Sequence, residues 1–128
     1  LCVHAPLTPQ TRGMVGTEAF SKMKSSAFII NCSRGPIVDT KALVHALDEG
    51  QIAGCALDTT DPEPLPMDHA LQSRENVIIN PHAAWYSEQA MAGLQRGAPS
   101  EVRRVLAGQW PVNLVNQAVK ENNRAGIK

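Results

Sequence analysis

The stretch Ala27-Phe28-Ile29-Ile30-Asn31-Cys32-Ser33-Arg34-Gly35-Pro36 decides the fold. Its apolar run has no polar alternation and stops at a Ser-Arg-Gly-Pro turn. That reads as a short strand covered on both faces, as in a parallel sheet. Beyond the turn, Asp39 is placed to cap a helix with the apolar stripe Ala42, Leu43, Ala46 and Leu47, and Gly50 to end it. The cycle then repeats. Residues 52–57 read as a second apolar strand, 58–66 as a loop rich in Pro, Asp and Thr, and Val77-Ile78-Ile79 as a third strand. Upstream, residues 1–5 read as the end of a buried strand. Thr17 is placed to cap a short helix over 17–24 with Phe20 and Met23 on one face.

Short apolar strands alternating with amphipathic helices predict an α/β protein with a parallel sheet built from βαβ units. The sheet-bearing part is expected over residues 1–86. Residues 87–128 are expected to form a helix and a polar tail. Gly97 and Pro99 interrupt the helical pattern of 87–106. An interior proline costs about 3 kcal/mol, so a kink or two shorter helices are expected there. The chain opens inside a strand pattern at Leu1 rather than at Met, which reads as a piece of a longer protein.

Composition narrows the function classes. The 128 residues are 43% hydrophobic and 19% charged, with 12 basic and 12 acidic side chains. A formal charge of zero gives no electrostatic case for nucleic acid or for an anionic membrane surface. No apolar run approaches the roughly 20 residues of a membrane span. Cys2, Cys32 and Cys55 form no C-x-x-C pair, and no metal site is expected. A reducing cytoplasm is the simplest compartment for them.

In parallel sheets of this kind, ligands bind beyond the carboxyl ends of the strands. The residues there are His4-Ala5-Pro6, Cys32-Ser33-Arg34, Asp58 and Asn80-Pro81-His82. Arg34 can grip a carboxylate through two parallel hydrogen bonds; a surface arginine in a turn is the alternative. His82 can donate a proton to a carbonyl oxygen, or it can be a structural histidine. Glu63 or its neighbour Asp61 can sit beside His82, orient it and favour its charged form, or belong to an acidic surface loop. Asp58 can accept from a carboxamide, or cap a turn.

Together these residues carry a resemblance. The runs Val3-His4-Ala5-Pro6-Leu7-Thr8, Asn31 to Asp39 (N-C-S-R-G-P-I-V-D), Gly54-Cys55-Ala56-Leu57-Asp58, Pro62-Glu63-Pro64 and Pro81-His82-Ala83-Ala84 resemble the D-2-hydroxyacid dehydrogenase family over residues 1–115. The stretch His82-Ala83-Ala84-Trp85-Tyr86-Ser87-Glu88 is most similar to the branch containing the C-terminal-binding corepressors.

The resemblance implies the second half of a doubly wound, Rossmann-like NAD-binding domain, incomplete here. It implies NAD as cofactor, with NADP not excluded, a small 2-oxo or 2-hydroxy acid as substrate, and a homodimer for the full-length protein. It implies Arg34 as the substrate-binding cation, His82 as the general acid/base and Glu63 as its orienting carboxylate. It also implies cofactor contacts from Ala5, Pro6, Leu7, Thr11, Cys32, Ser33, Arg34, Asp58, His82 and Ala84. Trp85 is expected to wall the substrate pocket beside Arg34 and His82. One family feature is missing: no G-x-G-x-x-G phosphate loop occurs anywhere in the sequence. An NADH-responsive, corepressor-like interaction module and an inactive remnant are the competing readings.

Overall fold

The computed structural model describes residues 1–123, 126 and 127. The chain divides into two compact units, Leu1–Ala84 and Trp85–Lys128. The first holds four parallel strands, β1 (Cys2–Val3), β2 (Phe28–Asn31), β3 (Gly54–Leu57) and β4 (Val77–Ile79), adjacent in that order. Helices α1 (Thr17–Ser21) and α2 (Thr40–Asp48) belong to the same unit, with a 3₁₀ turn at Gly35–Ile37.

One face of the sheet makes the core. Val3, Ile29, Cys55 and Leu57 are buried there with Phe20 of α1 and Leu43, Ala46 and Leu47 of α2. Asp39 starts α2 as the sequence leads one to expect: one of its carboxylate oxygens accepts from the Lys41 and Ala42 amides at 2.9 and 3.0 Å. Such a cap stabilises a helix by about 1 kcal/mol.

The sheet is parallel as expected, but within these residues β2 is covered on one face only. β2 alternates, with Ile29 and Asn31 fully buried but Phe28 57% and Ile30 38% exposed. The register lines up Cys2, Ile30, Ala56 and Ile78 as one row across the sheet. Ile78 is 68% exposed. An apolar run on a parallel strand signals two faces meant for cover, but α1 and α2 pack against only one of them.

Three element boundaries also differ. Thr17 is the first residue of α1 rather than its cap; Gly16 holds that position, and the helix ends at Ser21. The strand expected over 52–57 begins at Gly54, although Ile52 is buried. The strand expected over 1–5 is confined to Cys2–Val3.

In the second unit, α3 (Glu88–Leu106) runs continuously through Pro99, so the pattern is one helix and not two shorter ones. Proline removes the hydrogen bond to the Gln95 carbonyl. Nothing in α3 is buried, so water can satisfy that carbonyl. A second 3₁₀ segment, Gln117–Asn122, follows in the tail. The tail expected beyond Gly108 includes Arg124, Ala125 and Lys128, which lie outside the described residues.

Gly35 joins the turn after β2 to the loop after β3. A methyl group there would overlap the Thr60 carbonyl, a backbone atom that cannot swing aside. Gly35→Ala is therefore expected to destabilise the first unit by about 3 kcal/mol or more. Chemical denaturation monitored by circular dichroism measures this, and a midpoint equal to that of the unsubstituted chain would contradict the close approach.

Candidate functional site at the carboxyl edge of the sheet

All four strands are parallel, so their carboxyl ends share one edge. The last paired row is Val3, Asn31, Leu57 and Ile79. The next residue of each strand, His4, Cys32, Asp58 and Asn80, therefore stands at the edge. Two backbone bonds carry the ladder one step further: the Asp58 amide to the Asn31 carbonyl at 2.9 Å, and the Asn80 amide to the Leu57 carbonyl at 2.8 Å.

Two clefts open at this edge. The first, about 580 Å³, is lined by His4, Ala5, Pro6, Leu7, Cys32, Ser33 and Arg34. It gathers six of the expected site residues from two separate loops. Asn31 shapes it from below. This fully buried side chain accepts from the Ser33 amide at 3.1 Å and the Ser33 hydroxyl at 2.9 Å, and donates to the Arg34 carbonyl at 3.1 Å. The Arg34 guanidinium is exposed and folds back to the Ser33 carbonyl at 2.7 Å. Thr11 is tied to the same loop, its hydroxyl donating to the Pro6 carbonyl at 2.7 Å.

The second cleft, about 560 Å³, is lined by Asp58, Glu63, Asn80 and His82, with Leu65, Met67 and Ile79 among its apolar walls. His82 Nδ1 lies 2.7 Å from Glu63 Oε1, and both side chains are partly exposed. Asp61, the local alternative to Glu63, is instead fixed through its carbonyl, which accepts from the Thr40 hydroxyl at 3.1 Å. Both Asp61-Pro62 and Glu63-Pro64 are cis.

Asp58 is the centre of this side of the edge. Its Oδ1 accepts from Asn80 Nδ2 at 2.7 Å, the Ala83 amide at 2.8 Å and the Ala84 amide at 2.9 Å. Burial pushes its carboxyl up. The three hydrogen bonds and the His82 charge outweigh burial and hold it below its usual value. The turn-capping alternative for Asp58 is thus visible in the structure. Sequence reasoning did not single out Asn80 or Asn31 as site residues. Their clue was position alone, one polar residue ending or following each apolar strand.

Trp85 belongs to the second unit. There its ring meets Tyr86 edge to face, with centroids 5.7 Å apart. Among the described residues no cluster of His, Cys, Asp and Glu is arranged to hold a metal ion. Among the described residues no helix is long and apolar enough to cross a membrane.

Residues 1–84 match the family described as D-isomer specific 2-hydroxyacid dehydrogenase, NAD binding domain. The chain belongs to this family. A glyoxylate reductase of Thermofilum pendens is 44% identical over 91% of the chain and 34% of its own length. A D-isomer specific 2-hydroxyacid dehydrogenase of Lactobacillus delbrueckii, solved with NAD, superposes with a TM-score of 0.79 at 35% identity, covering 90% of this chain and 39% of that one. A D-isomer specific 2-hydroxyacid dehydrogenase of Xanthobacter autotrophicus, solved with NADPH, gives 0.74 at 38% identity, covering 90% and 47%. The chain spans about a third of the length of the glyoxylate reductase it matches. As a D-2-hydroxyacid dehydrogenase NAD-binding domain, its sheet is the expected Rossmann-like one.

Two measurements probe the edge. A carboxyl held below its ordinary value of 3.8 contributes stability that is fully present above that pH and is lost as pH falls through the lowered value. Asp58→Asn should remove this contribution. The difference in stability between wild type and variant should then shrink on acidification below about pH 4; a pH-independent difference would exclude the ionised Asp58. Separately, burial raises the Cys55 thiol to about 11, against a smaller opposing pull from Arg74. A thiol reagent near pH 8 is expected to label exposed Cys2 in the folded chain and Cys55 only after unfolding. Mass mapping of the labelled peptides reads this directly.

Proposed function

We propose that this chain serves in the NAD(H)-dependent interconversion of a small 2-oxo acid and the corresponding D-2-hydroxy acid. The observation that carries the proposal is the 2.7 Å pair between His82 Nδ1 and Glu63 Oε1, on the same sheet edge as the exposed Arg34. β2 and β4 are separated by one strand, so their carboxyl ends lie roughly 10 Å apart, with Arg34 and His82 in the loops that follow them. A long guanidinium arm and an imidazole on that edge can both reach a small 2-oxo acid held between them.

Each side chain then has a distinct task. Arg34 binds the substrate carboxylate through parallel hydrogen bonds and fixes its orientation. His82 gives its proton to the carbonyl oxygen as negative charge develops there, and takes it back in the oxidative direction. Glu63, bonded at Nδ1, sets the ring orientation, so the exchanged proton is carried on Nε2. The first cleft, between 4–7 and 32–34, suits one end of a dinucleotide. A nicotinamide cofactor held at this edge would supply the hydride. Asp58 would accept from its carboxamide through Oδ2, which carries no hydrogen bond among the described residues, while Oδ1 stays with its turn. Glyoxylate, the substrate in the name of one relative, is the first compound to try. The corepressor-like reading gains nothing from relatives that carry enzyme names.

The test is NADH oxidation across a panel of 2-oxo acids, using the protein that carries this chain. His82→Asn should lower kcat by about 10²- to 10⁴-fold. Arg34→Lys should act mainly on kcat/KM, by about tenfold or more. No oxidation with any acid in the panel would overturn the proposal.

A further inference from the structure

We infer that Asn80 is a positioning residue for His82, acting through Asp58: its side-chain amide holds the Asp58 carboxylate in the orientation that builds the His82 turn. The inference rests on the proposed role of His82 for its catalytic meaning, but its geometry stands without it.

Asn80 is the first residue beyond β4, and its own amide is bonded to the Leu57 carbonyl. That bond fixes its backbone beside Asp58, the first residue beyond β3. From there Nδ2 reaches Oδ1 of Asp58 at 2.7 Å. The same oxygen receives the Ala83 and Ala84 amides. The His82 amide is shared between the Asp58 carbonyl at 2.9 Å and the Asn80 carbonyl at 3.0 Å. Every backbone donor from 82 to 84 thus ends on Asp58 or Asn80.

The turn needs this hold. His82 has φ 53°, in the left-handed region that side-chain-bearing residues seldom occupy. Asn80 provides the only side-chain donor to Oδ1 among the described residues. Without it, the carboxylate is free to turn toward solvent and to release the Ala83 and Ala84 amides. His82 Nδ1 would then lose its fixed approach to Glu63.

Residue type matters as much as place. An amide donates to the carboxylate, whereas a carboxylate at position 80 would set a second negative charge against it. The charged groups facing Asp58 are His82 and, bonded to it in the same cleft, Glu63. Asn80 acts with His82 and the two turn amides to keep Asp58 ionised against the effect of burial.

The test uses Asn80→Ala and the near-isosteric Asn80→Asp in the full chain, followed by nuclear magnetic resonance. In Asn80→Ala the Asp58 carboxyl midpoint should rise by about one pH unit. Amide exchange at Ala83 and Ala84 should quicken about tenfold, while exchange at Leu43 and Ala46 of α2 stays unchanged. Asn80→Asp should raise the midpoint further. In the active protein, the acid limb of the kcat/KM profile should move the same way.

An unchanged Asp58 midpoint with unchanged exchange in both variants would overturn the inference. So would loss of α2 protection in both, because Asn80 would then govern the whole fold rather than the turn. These readouts do not need turnover, so an inactive wild-type protein would defeat the dehydrogenase proposal and leave this inference standing.

Discussion

One carboxylate oxygen, Asp58 Oδ1, organises the working edge of the sheet. Three donors converge on it from three residues that follow β4. A buried carboxylate is unfavourable unless its charge is met by hydrogen bonds. Here meeting that need also shapes the loop that presents His82. The geometry of the candidate acid–base pair is therefore a consequence of satisfying a charge at the end of β3. Asn31 does similar work one strand away: buried at the end of β2, it satisfies its amide on Ser33 and Arg34 and so fixes the turn that carries the guanidinium.

Parallel strands explain why this economy is possible. Each strand ends at the same edge, and each crossover returns the chain to the opposite one. Polar residues that end or follow apolar strands are brought side by side although they lie some 25 residues apart in sequence. The Glu63–His82 contact spans 19 residues and the Asn80–Asp58 contact 22. Neither is local, and neither requires a long folded loop beyond the one that carries Glu63.

Much of this was legible in the sequence where the signal was local. The apolar runs located β2, β3 and β4, and Asp39 marked the start of α2. The rule that ligands gather beyond strand ends points to Arg34, Asp58 and His82 from the sequence alone. Signals that depend on distant parts of the chain were not legible. The bareness of one face of β2 is decided by what packs on it, not by Phe28 and Ile30 themselves. Pro99 looked like a helix break because an interior proline loses a hydrogen bond and crowds the preceding turn, yet α3 continues through it. Asn80 stood in the sequence only as the residue after an apolar strand, since its bond to Asp58 exists only once β3 and β4 are neighbours. Glu63 and Asp61 were equal candidates by residue chemistry; only the resemblance distinguished them in sequence, and in the fold the 2.7 Å contact belongs to Glu63.

The uncovered row of Cys2, Ile30, Ala56 and Ile78, with Phe28 beside it, has a thermodynamic signature. Heat capacity of unfolding and sensitivity to denaturant both scale with the apolar surface newly wetted when the chain opens. Side chains already wet in the native state add nothing to that change. Taken by itself, as these residues alone, the first unit should therefore unfold with a smaller heat-capacity increment than its length implies. Its stability curve is correspondingly flatter, with a broad response to temperature and a shallow one to urea.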